Sequence, residues 1–135
     1  MCVLVLSNYF EAIDPIAVSK VSTQIDELIS HARVEQRPVA FLQCKDGRGF
    51  GGLGVRVGRY EPIFFLPERG AQLPSGLIEF IVRHAGASIE LAGVAAERQF
   101  QRLQDTLQRS GYATRMARET TLIVSDAPRG SELEC

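Results

Sequence analysis

The stretch Pro38 to Pro67, PVAFLQCKDGRGFGGLGVRVGRYEPIFFLP, decides how the fold is read. Its apolar runs are Val39 to Leu42, Leu53 to Val57 and Ile63 to Leu66, parted by a glycine-rich turn and by the Tyr60-Glu61-Pro62 corner. Short apolar runs bounded by glycine and proline predict a three-strand antiparallel meander. The segments on either side carry helical apolar stripes, which need a sheet of this kind to cover.

Toward the N-terminus, Cys2 to Leu6 is an unbroken valine- and leucine-rich run. Such a run predicts a strand covered on both faces, central in the sheet. Val18, Val21, Ile25, Leu28 and Ala32 then follow helical spacing, with Thr23 and Asp26 resembling a capping box and Arg37-Pro38 setting the end.

Toward the C-terminus, Ser75 predicts a helix N-cap, Leu77, Ile78, Ile81, Val82 and Ala85 the helix stripe, and Gly86 its stop. Ala87, Ile89 and Leu91 alternate as a strand with one wet face. Gly93 introduces a helix with Ala96, Phe100, Leu103 and Leu107 inward and Gly111 as its end. Tyr112 to Ala117 and Thr120 to Val124 predict a closing hairpin around Arg118-Glu119. The expected class is α+β: a mixed, mostly antiparallel sheet with two or three helices packed mainly on one face. Its element order contains the β-α-β-β-α-β order and so resembles ferredoxin-like domains, an order that hosts many functions and implies none. Residues 1–125 form one expected domain, and 126–135, without periodicity, a flexible tail.

Composition narrows the function classes. The chain has 135 residues, 45% of them hydrophobic and 23% charged, which fits one globular domain and excludes disorder. No apolar run approaches the ~20 residues of a membrane helix, and the opening run lacks a signal peptide's flanks, so a cytoplasmic location with no membrane contact is expected. Cys2, Cys44 and Cys135 are an odd set without CxxC spacing, which argues against a disulfide framework and against zinc. The net charge of −1 makes nucleic acid an unlikely partner.

Gly47, Gly49 and Gly52 match GxGxxG, but a strand is expected next instead of the helix a dinucleotide site needs, and no cofactor is expected. Arg48, Gly49, Phe50, Gly51 and Leu53 resemble the signature of the RNA recognition motif, which would imply single-stranded RNA on the glycine-rich strand. Gly52 and Val55 stand where that motif has aromatics. Arg48, Phe50, Arg56 and Arg59 are the candidate ligand or anion contacts. Phe64 and Phe65, pointing to opposite sides of a strand, are the candidate pocket or interface residues. The Met-Cys start followed by an apolar strand resembles class II glutamine amidotransferases, which would imply Cys2 as an N-terminal nucleophile with its own amine as base. Val3 replaces that family's glycine. His31 and His84 stand alone, without the spacing of a metal site.

With no catalytic constellation and an excess of aliphatic surface, the leading expectation is a non-catalytic interaction or regulatory domain of no known function, self-associating as a homodimer. The alternatives are a small-ligand-binding module with its pocket between sheet and helices, a weak RNA binder, and an N-terminal cysteine amidohydrolase.

Overall fold

In the computed structural model, which describes residues 2–7, 15–44, 58–66, 73–84, 86 and 88–124, the opening apolar run forms the middle of the sheet. In chain order the elements are β1 (Cys2–Ser7), α1 (Pro15–Val34), β2 (Val39–Cys44), β3 (Ile63–Leu66), α2 (Ser75–His84), β4 (Ser88–Ala96), α3 (Glu97–Arg109) and β5 (Ala113–Val124). The strands lie in the order β3-β2-β1-β4-β5, and every pairing is parallel.

Alternate residues of β1, β2 and β4 feed two cores. Val3, Val5, Phe41, Ala92 and Val94 face α1 and pack on Val21, Ile25, Ile29 and Ala32. Leu4, Leu6, Leu42, Ile89 and Leu91 face the other way, onto Leu77 and Ile81 of α2 and Phe100, Leu103 and Leu107 of α3. A strand buried on both faces has no polar alternation to display, hence the CVLVL run of β1. The chain winds one way through α1 on one face and returns through α2 and α3 on the other. This is the arrangement right-handed crossovers require.

The expected antiparallel, ferredoxin-like sheet with helices mainly on one face is therefore corrected to an all-parallel α/β sheet covered on both faces. Phe41 pairs directly with Ile63, and Cys44 with Leu66, so no third strand of a meander lies between β2 and β3. The run Leu53 to Val57 falls outside the described residues. Thr23 is not a cap: α1 begins at Pro15, where proline suits a first turn, and the Thr23 hydroxyl donates to the Ser19 carbonyl at 3.1 Å. The closing hairpin is also overturned, because Ala113–Val124 is one strand parallel to β4. The Arg118-Glu119 pair sits within a shift of register, where Leu91 pairs with Met116 and Gly93 with Thr121. The predicted tail 126–135 is outside the described residues.

Gly93 lies inside β4 and does not start a helix; β4 runs on to Ala96. Its φ is +130°, and a Cβ there would collide with the carbonyl oxygen of Leu6, its partner on β1. Glycine is needed for both reasons, the backbone conformation and the close approach of the two central strands. Gly93→Ala is expected to destabilise the fold by about 3 kcal/mol or more. Urea unfolding measures it, and a change below about 0.5 kcal/mol contradicts the close packing of β1 on β4.

Candidate functional site

Parallel strands put all their carboxyl ends on one edge, and the site of an open α/β sheet lies outside that edge where the winding reverses. Here the reversal falls between β1 and β4: β1 leads to α1 on one face, and β4 leads to α3 on the other. At this point β4 passes into α3 without a loop, Ala96 being followed by Glu97 in the first turn. The first-turn amides of α3 have no carbonyl within the helix to bond, so the positive end of the helix begins three residues beyond Val94, the partner of Ser7 at the end of β1. Glu97 and Arg98 are exposed there, while Gln99 is only 5% exposed and holds a polar partner.

The opposite, amino edge carries the ion pairs. The Arg33 guanidinium donates to both carboxylate oxygens of Glu61, at 2.9 and 2.6 Å, and the Gly58 amide donates to the same carboxylate at 2.6 Å. Burial alone would push the Glu61 carboxyl up, but these hydrogen bonds and the neighbouring guanidinium charge together hold it below its ordinary value of 4.5. Arg37 bonds Glu35 at 2.9 Å and lies 3.7 Å from the buried carboxylate of Glu90, three residues into β4. These contacts fasten the end of α1 and the entries to β2, β3 and β4, away from the reversal point.

The sequence-predicted residues do not converge. Cys2 is fully buried as the first residue of β1, at the amino edge, about 16 Å along the strand from Ser7. Burial pushes its thiol up to about 11, whereas nucleophilic chemistry needs the thiolate. Arg59 is exposed before β3, its guanidinium 5.9 Å from the Tyr60 ring. Phe64 turns into the α2 side, edge-on to Phe80 at 6.1 Å, and Phe65 is 62% exposed on the other side. Arg48, Phe50 and Arg56, with the whole glycine-rich motif, lie outside the described residues. That motif follows β2, whereas the residues after β1, Asn8 to Asp14, contain no glycine for a dinucleotide turn. His31 and His84 are exposed at the ends of α1 and α2. Among the described residues no three of His, Cys, Asp and Glu gather as a metal group, and no helix is long and apolar enough to cross a membrane.

In the sequence Gly93 passes for a helix start, which hides the true first turn of α3 at Glu97. The signal was the continued strand period Ile89, Leu91, Gly93, Ala95, running directly into an amphipathic helix.

No family model matches the sequence, and no curated protein matches it. Solved structures do share its architecture. An isochorismatase family protein is 20% identical with a TM-score of 0.55, covering 89% of this chain and 80% of its own. The MAR1 ribonuclease from Caenorhabditis elegans is 16% identical with a TM-score of 0.61, covering 97% of this chain and 68% of its own. The nicotinamidase SaPncA from Staphylococcus aureus is 17% identical with a TM-score of 0.61, covering 98% of this chain and 90% of its own. The chain has the isochorismatase-like α/β fold. The expectation of a non-catalytic protein-binding domain is corrected accordingly: the solved structures that share this architecture bear the names of enzymes or of an enzyme family.

Because the folded-state pKa of Glu61 is depressed, the Arg33–Glu61 clamp contributes stability that is fully present above the unfolded pKa and is lost as pH falls through the folded one. Glu61→Gln is thus expected to be less stable than wild type near pH 7, by about 1 kcal/mol for a partly exposed pair. Thermal melts from pH 7 down to pH 3 should show the gap closing below about pH 4.5. A gap that stays constant across that range, or widens in acid, contradicts the clamp.

Proposed function

We propose that the chain is a hydrolase whose small substrate, an amide of the kind a nicotinamidase takes, binds at the carboxyl edge of the sheet between β1 and β4. The observation that carries this reading is the sheet order with its reversal at β1/β4, where α3 follows β4 without a loop. Likeness to the nicotinamidase and to the isochorismatase family protein supports a small substrate. The ribonuclease neighbour shares the fold, but a net charge of −1 offers no general attraction for a polyanion.

Hydrolysis of a primary amide adds water across the carbonyl carbon–nitrogen bond and yields a carboxylic acid and ammonia. Attack on the carbonyl draws negative charge onto its oxygen, and donors fixed before the reaction stabilise that charge at little reorganisation cost; one such donor is typically worth about 100-fold or more in rate. The first-turn amides of α3 are donors of this kind, held by Phe100, Leu103 and Leu107 in the core. The reading keeps the amidohydrolase class expected from the opening sequence and leaves Cys2 out of the chemistry. Its thiol is at the wrong edge and protonated.

Ammonia release from nicotinamide and a panel of small primary amides, measured with the purified full chain, tests the proposal. Wild type is expected to release ammonia from at least one amide, and Cys2→Ala to keep that rate within about twofold once confirmed folded. Failure of folded wild type on every amide overturns the hydrolase reading, and loss of activity in folded Cys2→Ala overturns the placement of the site.

A further inference from the structure

We infer that the outer edge of β3 is a self-association surface, on which β3 of a second copy of this chain pairs antiparallel about a twofold axis; this stands apart from the hydrolase reading. β3 ends the sheet, and among the described residues β2 is its one strand partner. The Phe41 amide of β2 donates to the Pro62 carbonyl at 2.9 Å. Backbone groups alternate in direction along a paired strand, so Phe64 and Leu66 also bond toward β2, while the N–H and C=O groups of Ile63 and Phe65 point off the edge. Phe64 and Leu66 join the core beneath α2, whereas the side chains of Ile63 and Phe65 are 41% and 62% exposed on the other face. The same two residues thus leave both backbone and side chain uncovered.

That edge is its own complement. An axis through Phe64 sets each Ile63 opposite Phe65 of the other copy, and directly opposed residues of an antiparallel pair exchange both N–H···O bonds, so every outward group of the two edges is used. The register is limited on both sides: the Glu61 amide is already given to the Gly58 carbonyl at 3.1 Å, and position 67 is a proline without an N–H. Ile63 against Phe65 is also a favourable β-branched and aromatic cross-strand pair. The opposite edge of the sheet is guarded. β5 carries exposed Arg115, Arg118 and Glu119 and a shift of register between Met116 and Thr121, and charges and bulges are what keep an edge strand from pairing. The run Pro62 to Pro67, PIFFLP, contains no charge, so two copies meet there without repulsion. A four-residue edge covers less than the ~1,200 Å² at which stable interfaces begin, so the dimer is reversible, with a dissociation constant on the order of 100 µM.

Sedimentation velocity of the full chain from about 10 µM to about 1 mM is expected to show monomer passing into dimer. Phe65→Lys, which sets a charge on the edge, is expected to raise the dissociation constant about tenfold or more, and Phe65→Leu to keep it within about threefold. Equal thermal midpoints of the dilute proteins check that each variant is folded. Amide hydrogen exchange of wild type reads the register without any substitution: at Ile63 and Phe65 it is expected to slow as the dimer fraction rises, and along β5 to stay the same. Self-association through β3 is overturned by a monomer at every concentration, by a dimer that folded Phe65→Lys leaves intact, or by Ile63 and Phe65 amides that exchange at one rate throughout the range. A constant slow rate at those amides would mean that another part of the same chain covers the edge.

Discussion

The close approach of two backbones, Gly93 of β4 against the carbonyl of Leu6 of β1, is the constraint on which the rest of the molecule depends. β1 and β4 are the strands from which the chain winds in opposite directions, and their contact is what joins the two halves into one sheet. A side chain at Gly93 would push them apart at Leu6, one residue before the end of β1. Three residues further on, β4 becomes α3, so the same contact sets where the positive end of that helix stands relative to the end of β1. Fold stability and the placement of that helix start thus rest on the same contact.

The two edges of the sheet divide the work. At the amino edge, Arg33, Glu61 and the Gly58 amide, with Arg37, Glu35 and Glu90, satisfy one another and tie the strand entries to the end of α1. Polar groups so paired have little left to offer a ligand. At the carboxyl edge the described polar groups include the first-turn amides of α3 and the buried side-chain amides of Gln43 and Gln99. Cys2, protonated and sealed at the other edge, is better understood as a small apolar residue of the central strand.

How much of this is legible in the sequence depends on which physical signal carries it. Burial on both faces leaves an unbroken apolar run, so the central place of β1 can be read from Cys2 to Leu6. The helical periods of α1, α2 and α3 and the strand at Ile63–Leu66 can be read as well. Strand direction cannot: alternation is the same for parallel and antiparallel pairs, and a glycine-rich turn after Val39–Leu42 invites the antiparallel choice. The counter-signal is the β-α-β spacing from Cys2 to Cys44, with a 20-residue helix between the apolar runs Cys2 to Leu6 and Val39 to Leu42, which favours parallel pairing. Arg118-Glu119 misleads in the same way, since a shift of register within β5 and a turn both need residues that break alternation. The site itself is barely legible. As proposed, it relies on backbone amides at a helix start set by topology, and a backbone donor leaves no residue type to find.

Backbone amide shifts followed during titration of the isotopically labelled chain with nicotinamide test the central claim most directly. The account expects the shifted amides to cluster at Ser7, at Val94 to Gln99 and along the ends of β2 and β3. Shifts confined to the amino edge, around Cys2, Arg37 and Ser88, would contradict it, as would a titration that moves no amide at all.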